Sequence, residues 1–256
     1  MLVVLGLSAC ATPDTYDETR GWAVEKLYSE ARSELDSGNY TRAEKLYEAL
    51  QARYPYGRYA QQAEMDLAYT YYKDNEPELS LAEADRFIKL HPSHPNLDYI
   101  YYLKGLVNYS TDNAALAKWG GQDMSERDPK AAGDAYVAFS ELVKRFPNSK
   151  YAPDALAKMK LLVNALGGHE MHVARYYMER GAYIAAVNRA QTVVQQYGNT
   201  PYVEEALAIM VTGYKDLGMT TLSSDSQRVL ALNYPNSRYL ATPWHYEQMP
   251  WWKFWR

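Results

Sequence analysis

A short step recurs along this chain: an aromatic residue, usually followed by proline, with a tyrosine five positions after the aromatic. It reads Tyr54-Pro55 to Tyr59, Phe146-Pro147 to Tyr151 and Tyr234-Pro235 to Tyr239, with a degenerate copy from Tyr197-Gly198 to Tyr202. A weaker copy starts at His91-Pro92 and lacks the tyrosine. Internal repetition has to be settled first, because it decides the fold. Eight positions before each Pro, or before the equivalent Gly198, stand Tyr47, Ala84, Phe139, Ala190 and Gln227, and four further back stand Ala43, Ser80, Ala135, Ala186 and Ser223. Small residues at that second register suit two antiparallel helices that cross closely. Gly38, Gly181 and Gly218 fall at one register between the helices of a pair. A glycine there takes positive φ and ends the first helix.

These positions form the A-x3-F…P half of a tetratricopeptide unit, and its L-G-x2-Y half appears as Leu67-Ala68-x2-Tyr71, Val173-Ala174-x2-Tyr177 and, partly, Val211-x2-Tyr214. Pro55 and Pro92 stand 37 apart, as do Gly198 and Pro235, which fits a helix pair with a slightly long turn. Two spacings are longer. One excess falls in 111–128, between Gly105 and Ala135, the small positions of two paired helices; the other falls in 152–166, apolar at helical spacing ahead of Gly167-Gly168. The expected fold is all-α: an α-solenoid of five tetratricopeptide-like helix pairs over 22–240. The units span about 22–55, 58–92, 96–147 with an insertion at 111–128, 152–198 with a lengthened or doubled first helix, and 202–235. The first pair matches poorly, with Glu30 and Glu34 at Leu- and Tyr-type positions, as terminal repeats with one face in water commonly do.

Composition narrows the partners. The 256 residues carry net charge −4 and no Lys/Arg-rich run, which argues against nucleic acid, whose binding rests on basic surface. There are 25 Tyr and only 4 Phe. Tyrosine suits helix packing with its hydroxyl in water, and it also suits a peptide-binding groove. His91 and His94 share a loop, and His169 and His172 share a helix, but neither pair has the further ligands or the Glu spacing of a metal site, so no metal and no cofactor is expected. No nucleophile elbow, phosphate-cradling glycine loop or catalytic cysteine occurs, so the chain reads as a non-enzyme.

The N-terminus carries a different signal. Residues 1–9 form a short apolar run ending Leu7-Ser8-Ala9 before Cys10, the only cysteine, and no Lys or Arg precedes it. Small residues before that cysteine resemble the lipobox of bacterial lipoproteins. The resemblance implies a signal peptide at 1–9, cleavage before Cys10 and lipid on its thiol, with 10–21 as a polar tether. Two or more acyl chains anchor stably, at about 0.8 kcal/mol per buried methylene. Ala11 stands where an Asp would signal inner-membrane retention in many Gram-negative lipoproteins, which implies the outer membrane, periplasmic side. At the other end, 241–256 is aromatic and holds four of the six Trp with two Pro and no helical period. A cap on the last repeat or a docking segment for a partner is expected there.

The lipobox, the repeats, the long connection with Arg127-Asp128-Pro129, and Glu179-Arg180-Gly181-Ala182 ahead of Asn188-Arg189 together resemble the BamD (ComL) family of outer-membrane lipoproteins. The resemblance covers about 10–240 and carries no expectation for the Trp-rich tail, which is its one departure. It implies a scaffold in the β-barrel assembly machinery (the BAM complex) with other BAM lipoproteins. N-terminal units would engage unfolded outer-membrane proteins, and C-terminal units would engage the POTRA region of a BamA-type barrel protein. On that expectation Tyr69, Tyr72, Tyr101 and Tyr102 lie near a substrate groove, and Arg180, Arg189 and Lys215 lie on the partner face. The alternative is a periplasmic repeat lipoprotein that binds peptidoglycan or coordinates cell-wall synthesis. A solenoidal lytic transglycosylase would need a catalytic Glu-Ser pair and a further domain, and neither is present.

Overall fold

The computed structural model describes residues 18–112 and 129–245, and the side chains of 110–112 are not described. Cys10, most of the insertion and the tail beyond His245 lie outside the described residues. Among the described residues the chain is all-α, with eleven helices and no strand. They are α1 (Val24–Ser37), α2 (Tyr40–Arg53), α3 (Arg58–Lys73), α4 (Pro77–Leu90), α5 (Leu97–Asp112), α6 (Pro129–Arg145), α7 (Ala152–Glu179), α8 (Tyr183–Gln196), α9 (Val203–Asp216), α10 (Thr220–Asn233) and the short α11 (Arg238–Ala241). None is long and apolar enough to cross a membrane.

The repeated step is the helix stop. The N–H of Tyr54, His91, Phe146, Tyr197 and Tyr234 each donates to a carbonyl four residues back, on Leu50, Phe87, Leu142, Val193 and Leu230, at 2.8–2.9 Å. Those five acceptor residues are all buried. The aromatic therefore closes the last turn, and Pro or Gly follows because a proline cannot supply the next helical N–H. Four of the five small positions, Ala43, Ser80, Ala135 and Ala186, are 0% exposed. The fifth, Ser223, donates its hydroxyl to the Val211 carbonyl at 2.9 Å.

The glycine register behaves as its position requires. Gly38, Gly181 and Gly218 have φ of 83°, 70° and 74°. The residues after them, Asn39, Ala182 and Met219, donate backbone N–H five residues back, to Glu34, Tyr177 and Tyr214, at 2.8–2.9 Å. That is the six-to-one bond of a Schellman cap. Asn75 occupies the same register before α4 with φ of 62°, the only non-glycine with positive φ among the described residues. Asparagine is one of the few side chains that tolerate the left-handed region.

The chain divides into two compact units, Met1–Asp74 and Asn75–Arg256. In the first unit α3 packs with α1 and α2, and in the second α4 packs with α5. The first unit's core joins Leu27, Ala31, Leu46, Tyr47, Leu50 and Leu67. In the second unit α5 packs on α6, α6 on α7, α7 on α8, α8 on α9 and α9 on α10. The fourth unit's first helix is lengthened, not doubled. α7 runs 28 residues straight through Gly167-Gly168, where a Cβ on Gly167 would meet Thr200 and Tyr197 at 3.3 Å. The two loop histidines, His91 and His94, pack their rings on Phe87 at 4.8 and 5.1 Å.

Candidate functional site

The tyrosines singled out from the sequence fall in both units. Tyr69 and Tyr72 sit on α3, both half-buried, with ring centroids 6.1 Å apart and planes tilted by 42°. Tyr101 on α5 is only 7% exposed, packed against Phe146 and under the Arg145 guanidinium at 5.2 Å. Tyr102 stacks on Tyr151 at 4.7 Å and donates its hydroxyl to Asp154 at 2.6 Å. Tyr101 and Tyr102 thus hold α5 against the elements that follow it, which leaves Tyr69 and Tyr72 as the more available pair.

The three cations all lie in the second unit. Arg180 is exposed just after α7 and lies over the Tyr176 ring at 4.8 Å. Arg189 on α8 pairs with Glu170 on α7 at 3.1 Å. Lys215 is exposed in the last turn of α9.

The second unit also holds a cavity of about 640 Å³ that the sequence did not reveal. His172, Arg175, Tyr176 and Glu179 from α7 form one wall and Glu205 from α9 another. Arg238, Tyr239 and the stretch Thr242 to His245 close the third side. The spacing of the α7 residues explains the wall, since 172, 175, 176 and 179 follow the three-and-four rhythm of one helix face.

A bidentate ion pair fixes the floor. Arg175 Nε and Nη2 donate to the two carboxylate oxygens of Glu205 at 2.8 and 2.6 Å. The Trp244 indole N–H donates to Glu205 Oε1 at 3.1 Å, and that side chain is 8% exposed. Burial alone would raise the Glu205 carboxyl, but the hydrogen bonds and charge of Arg175, with the indole, hold it below the usual carboxylate range. The hydrogen bonds to Glu205 likewise push the Arg175 guanidinium up. The pair stays charged on both sides across the physiological range. Arg175, Glu205 and Trp244 belong to no local motif, because 30 and 39 residues separate the partners. Only the helix faces of α7 and the aromatic content of 241–256 hinted at them.

The first unit has a buried polar cluster. Asp66 on α3 accepts hydrogen bonds from Tyr28 at 2.8 Å, Gln62 at 3.0 Å and Tyr47 at 3.5 Å, and lies 3.5 Å from Arg32. Burial and the neighbouring carboxylate push both phenols up, so they remain donors. The cluster ties α1, α2 and α3 together through one carboxylate.

Comparison with known proteins decides the family. Residues 22–230 match the YfiO family, described as outer membrane lipoprotein. The chain belongs to this family. The outer membrane protein assembly factor BamD of Neisseria meningitidis serogroup B is 58% identical over 255 residues, covering 98% of this chain and 96% of that protein. The BamD of Xylella fastidiosa Temecula1 is 36% identical over 91% of this chain and 80% of its own length. The BamD of Haemophilus influenzae is 33% identical over 82% and 80%. Among solved structures, the MamA protein aligns with a TM-score of 0.40 at 13% identity, covering 89% of this chain and 98% of that one.

Proposed function

We propose that this chain is a lipid-anchored, non-enzymatic assembly factor for outer-membrane proteins, acting within the BAM complex. The observation that carries the reading is the 58% identity, over 98% of the chain, to a protein named as an outer membrane protein assembly factor. An all-α fold of stacked pairs supports it, because such pairs present helix faces to extended or helical partners.

Cys10 carries the lipid and ties the protein to the periplasmic face of the outer membrane. Tyr69 and Tyr72 offer a half-buried aromatic pair to the aromatic side chains of unfolded outer-membrane proteins. Arg180, Arg189 and Lys215 face the POTRA region of a BamA-type partner. Arg189 already holds Glu170, so a partner carboxylate would compete with that residue for the guanidinium. Such an exchange keeps the charge paired while it selects for an acidic partner surface.

The test is affinity purification of the chain from outer membranes in mild detergent, with co-purifying proteins identified. Recovery of the barrel-assembly protein is expected, together with loss of membrane association in Cys10→Ser. Recovery of peptidoglycan or cell-wall enzymes alone would leave the fold standing and overturn the assignment.

A further inference from the structure

The chain enters the first unit at a fixed point. Thr19 is 5% exposed. Arg53, in the last turn of α2, donates from Nη1 to the Thr19 carbonyl at 2.6 Å and from Nη2 to the Thr19 hydroxyl at 2.7 Å. The Trp22 N–H donates to the same carbonyl at 3.0 Å, and the Tyr54 hydroxyl donates to the Trp22 carbonyl at 2.8 Å. Arg53 and Tyr54 thereby tie 19–22 to the end of α2, beside the start of α1, so the chain before residue 18 leaves from one corner of the unit. That corner is aromatic and cationic. Lys26 Nζ lies 4.1 Å from the centroid of the half-buried Trp22 ring. Two residues past Tyr54, Tyr56 is 90% exposed, the most exposed large hydrophobic side chain among the described residues. Arg58 opens α3 with its guanidinium 4.9 Å over the Tyr59 ring, and Tyr59 packs on Tyr28 of α1 at 5.5 Å.

Arg20, Lys26 and Arg58 are all exposed there. The acids of the corner are Glu18, paired with Arg42 at 2.9 Å, and Glu25, exposed in the first turn of α1. With Asp14 and Asp17 in the segment before it, the excess of positive charge is small, so ring burial rather than bulk charge is the main attraction the corner can offer. Tyr and Trp rings with a polar tip, set among long cationic side chains, partition to the boundary between water and lipid headgroups. The place of the corner in the chain selects a lipid surface over a protein partner. The inference rests on the anchor at Cys10 given under the proposed function. Eight residue steps separate Cys10 from Glu18, a reach of at most about 28 Å. The 14 residues of α1 span about 21 Å. The corner is therefore held within little more than one helix length of the bilayer, close enough for the tether to raise the effective concentration of weak surface contacts.

We infer that this corner, with Trp22, Lys26, Tyr56, Arg58 and Arg20 on its surface, rests in the headgroup layer of the membrane that holds the anchor. Tyr56 sets its ring among the headgroups, Trp22 presents its exposed edge, and the three cations meet lipid phosphates. A lipid chain and an interfacial patch are two signals, the combination that makes membrane attachment stable. The contact also gives the first unit one orientation, with the start of α1 and the end of α2 at the bilayer and Ser37, at the far end of α1, away from it.

Site-specific quenching in the full-length lipidated chain tests it, on vesicles of phosphatidylcholine with a minor fraction of phosphatidylglycerol. With Cys10 acylated, an introduced cysteine is the only free thiol and takes one fluorophore. Ala23→Cys places it at the corner and Ser37→Cys at the far end of α1. Quenching by lipids with a nitroxide on the headgroup is expected to be at least about threefold stronger at 23 than at 37, because about 21 Å of helix separates the two positions. Tyr56→Ser with Lys26→Glu, both at exposed positions, should bring quenching at 23 down to the level at 37. Co-flotation with the vesicles, which the lipid secures, and helix content by circular dichroism should stay unchanged. If a label at 23 disturbs the start of α1, Ala52→Cys, exposed in the last turn of α2, takes its place. Equal quenching at the corner and at 37 with flotation intact would overturn the inference, leave the anchor standing and give the corner to a protein partner. Preferential quenching that persists in Tyr56→Ser with Lys26→Glu would overturn the assignment to these side chains. Flotation and preferential quenching that both survive Cys10→Ser would overturn the anchor and uphold the contact between corner and lipid.

Discussion

Asp66 is a carboxylate in a place that does not favour charge. It is 5% exposed, and burial raises its proton affinity more than the hydrogen bonds from Tyr28, Gln62 and Tyr47 and the charge of Arg32 lower it. The sign of its pH dependence follows. A carboxyl whose folded value lies above its unfolded value binds its proton more tightly in the folded protein. Its contribution is therefore complete below the unfolded value, near 3.8, and is lost as pH rises through the folded value. Asp66→Asn removes that dependence while keeping most of the shape. The stability of the natural protein relative to Asp66→Asn should fall as pH climbs from acid to neutral, measured by thermal melts of the two proteins across that range. A difference that stays flat would mean that Tyr28, Gln62 and Arg32 satisfy the carboxylate fully. A second residue-scale expectation concerns Trp244. Trp244→Phe keeps an aromatic ring but deletes one donor to the charged Glu205, so it should lower stability by about 1.5–3 kcal/mol, read as a shift in the denaturant midpoint.

Between helices, the decisive contacts are made by the smallest residues. A Cβ on Gly105 would lie 2.3 Å from a ring carbon of Phe139, which is itself fully buried and has nowhere to move. Gly105→Ala should therefore cost about 1–3 kcal/mol, and pairing it with Phe139→Leu should recover part of the loss. Denaturant melts of the two single variants and the double variant would check the coupling; strictly additive losses would mean that the Gly105→Ala loss does not arise from the Phe139 ring. The same scale shows what was legible in the sequence. The helix stops, the glycine caps and Ala43, Ser80, Ala135 and Ala186 are local or periodic signals, and they placed the helix pairs. Asn75 escaped notice because only its φ, not its identity, marks it as the fourth member of the glycine register. The facing of Tyr101 was not legible either: a tyrosine-rich helix shows its composition but not which ring turns inward, and Tyr101 lies beneath Arg145. The Arg175–Glu205–Trp244 floor was illegible, because a contact across three distant segments leaves no periodic trace.

At the scale of the whole chain, the proposed roles divide along the same line as the fold. Tyr69 and Tyr72 belong to the unit that ends at Asp74, and Arg180, Arg189 and Lys215 belong to the unit that begins at Asn75. Two binding functions carried on separately packed units should be separable by substitution. Arg189→Glu sets a carboxylate beside Glu170 and repels an acidic partner, so recovery of the barrel-assembly partner should fall by about tenfold or more, an effect equivalent to about 1.4 kcal/mol. Tyr69→Ala with Tyr72→Ala should leave that recovery unchanged and weaken binding of an unfolded outer-membrane peptide by a similar factor, followed by fluorescence anisotropy. Both rings are half-buried, so their removal also costs packing in the first unit, and a melt of the double variant separates that loss from the loss of binding. If each substitution weakened both activities to the same extent, substrate and partner would share one surface, and the division of labour between the two units would be wrong.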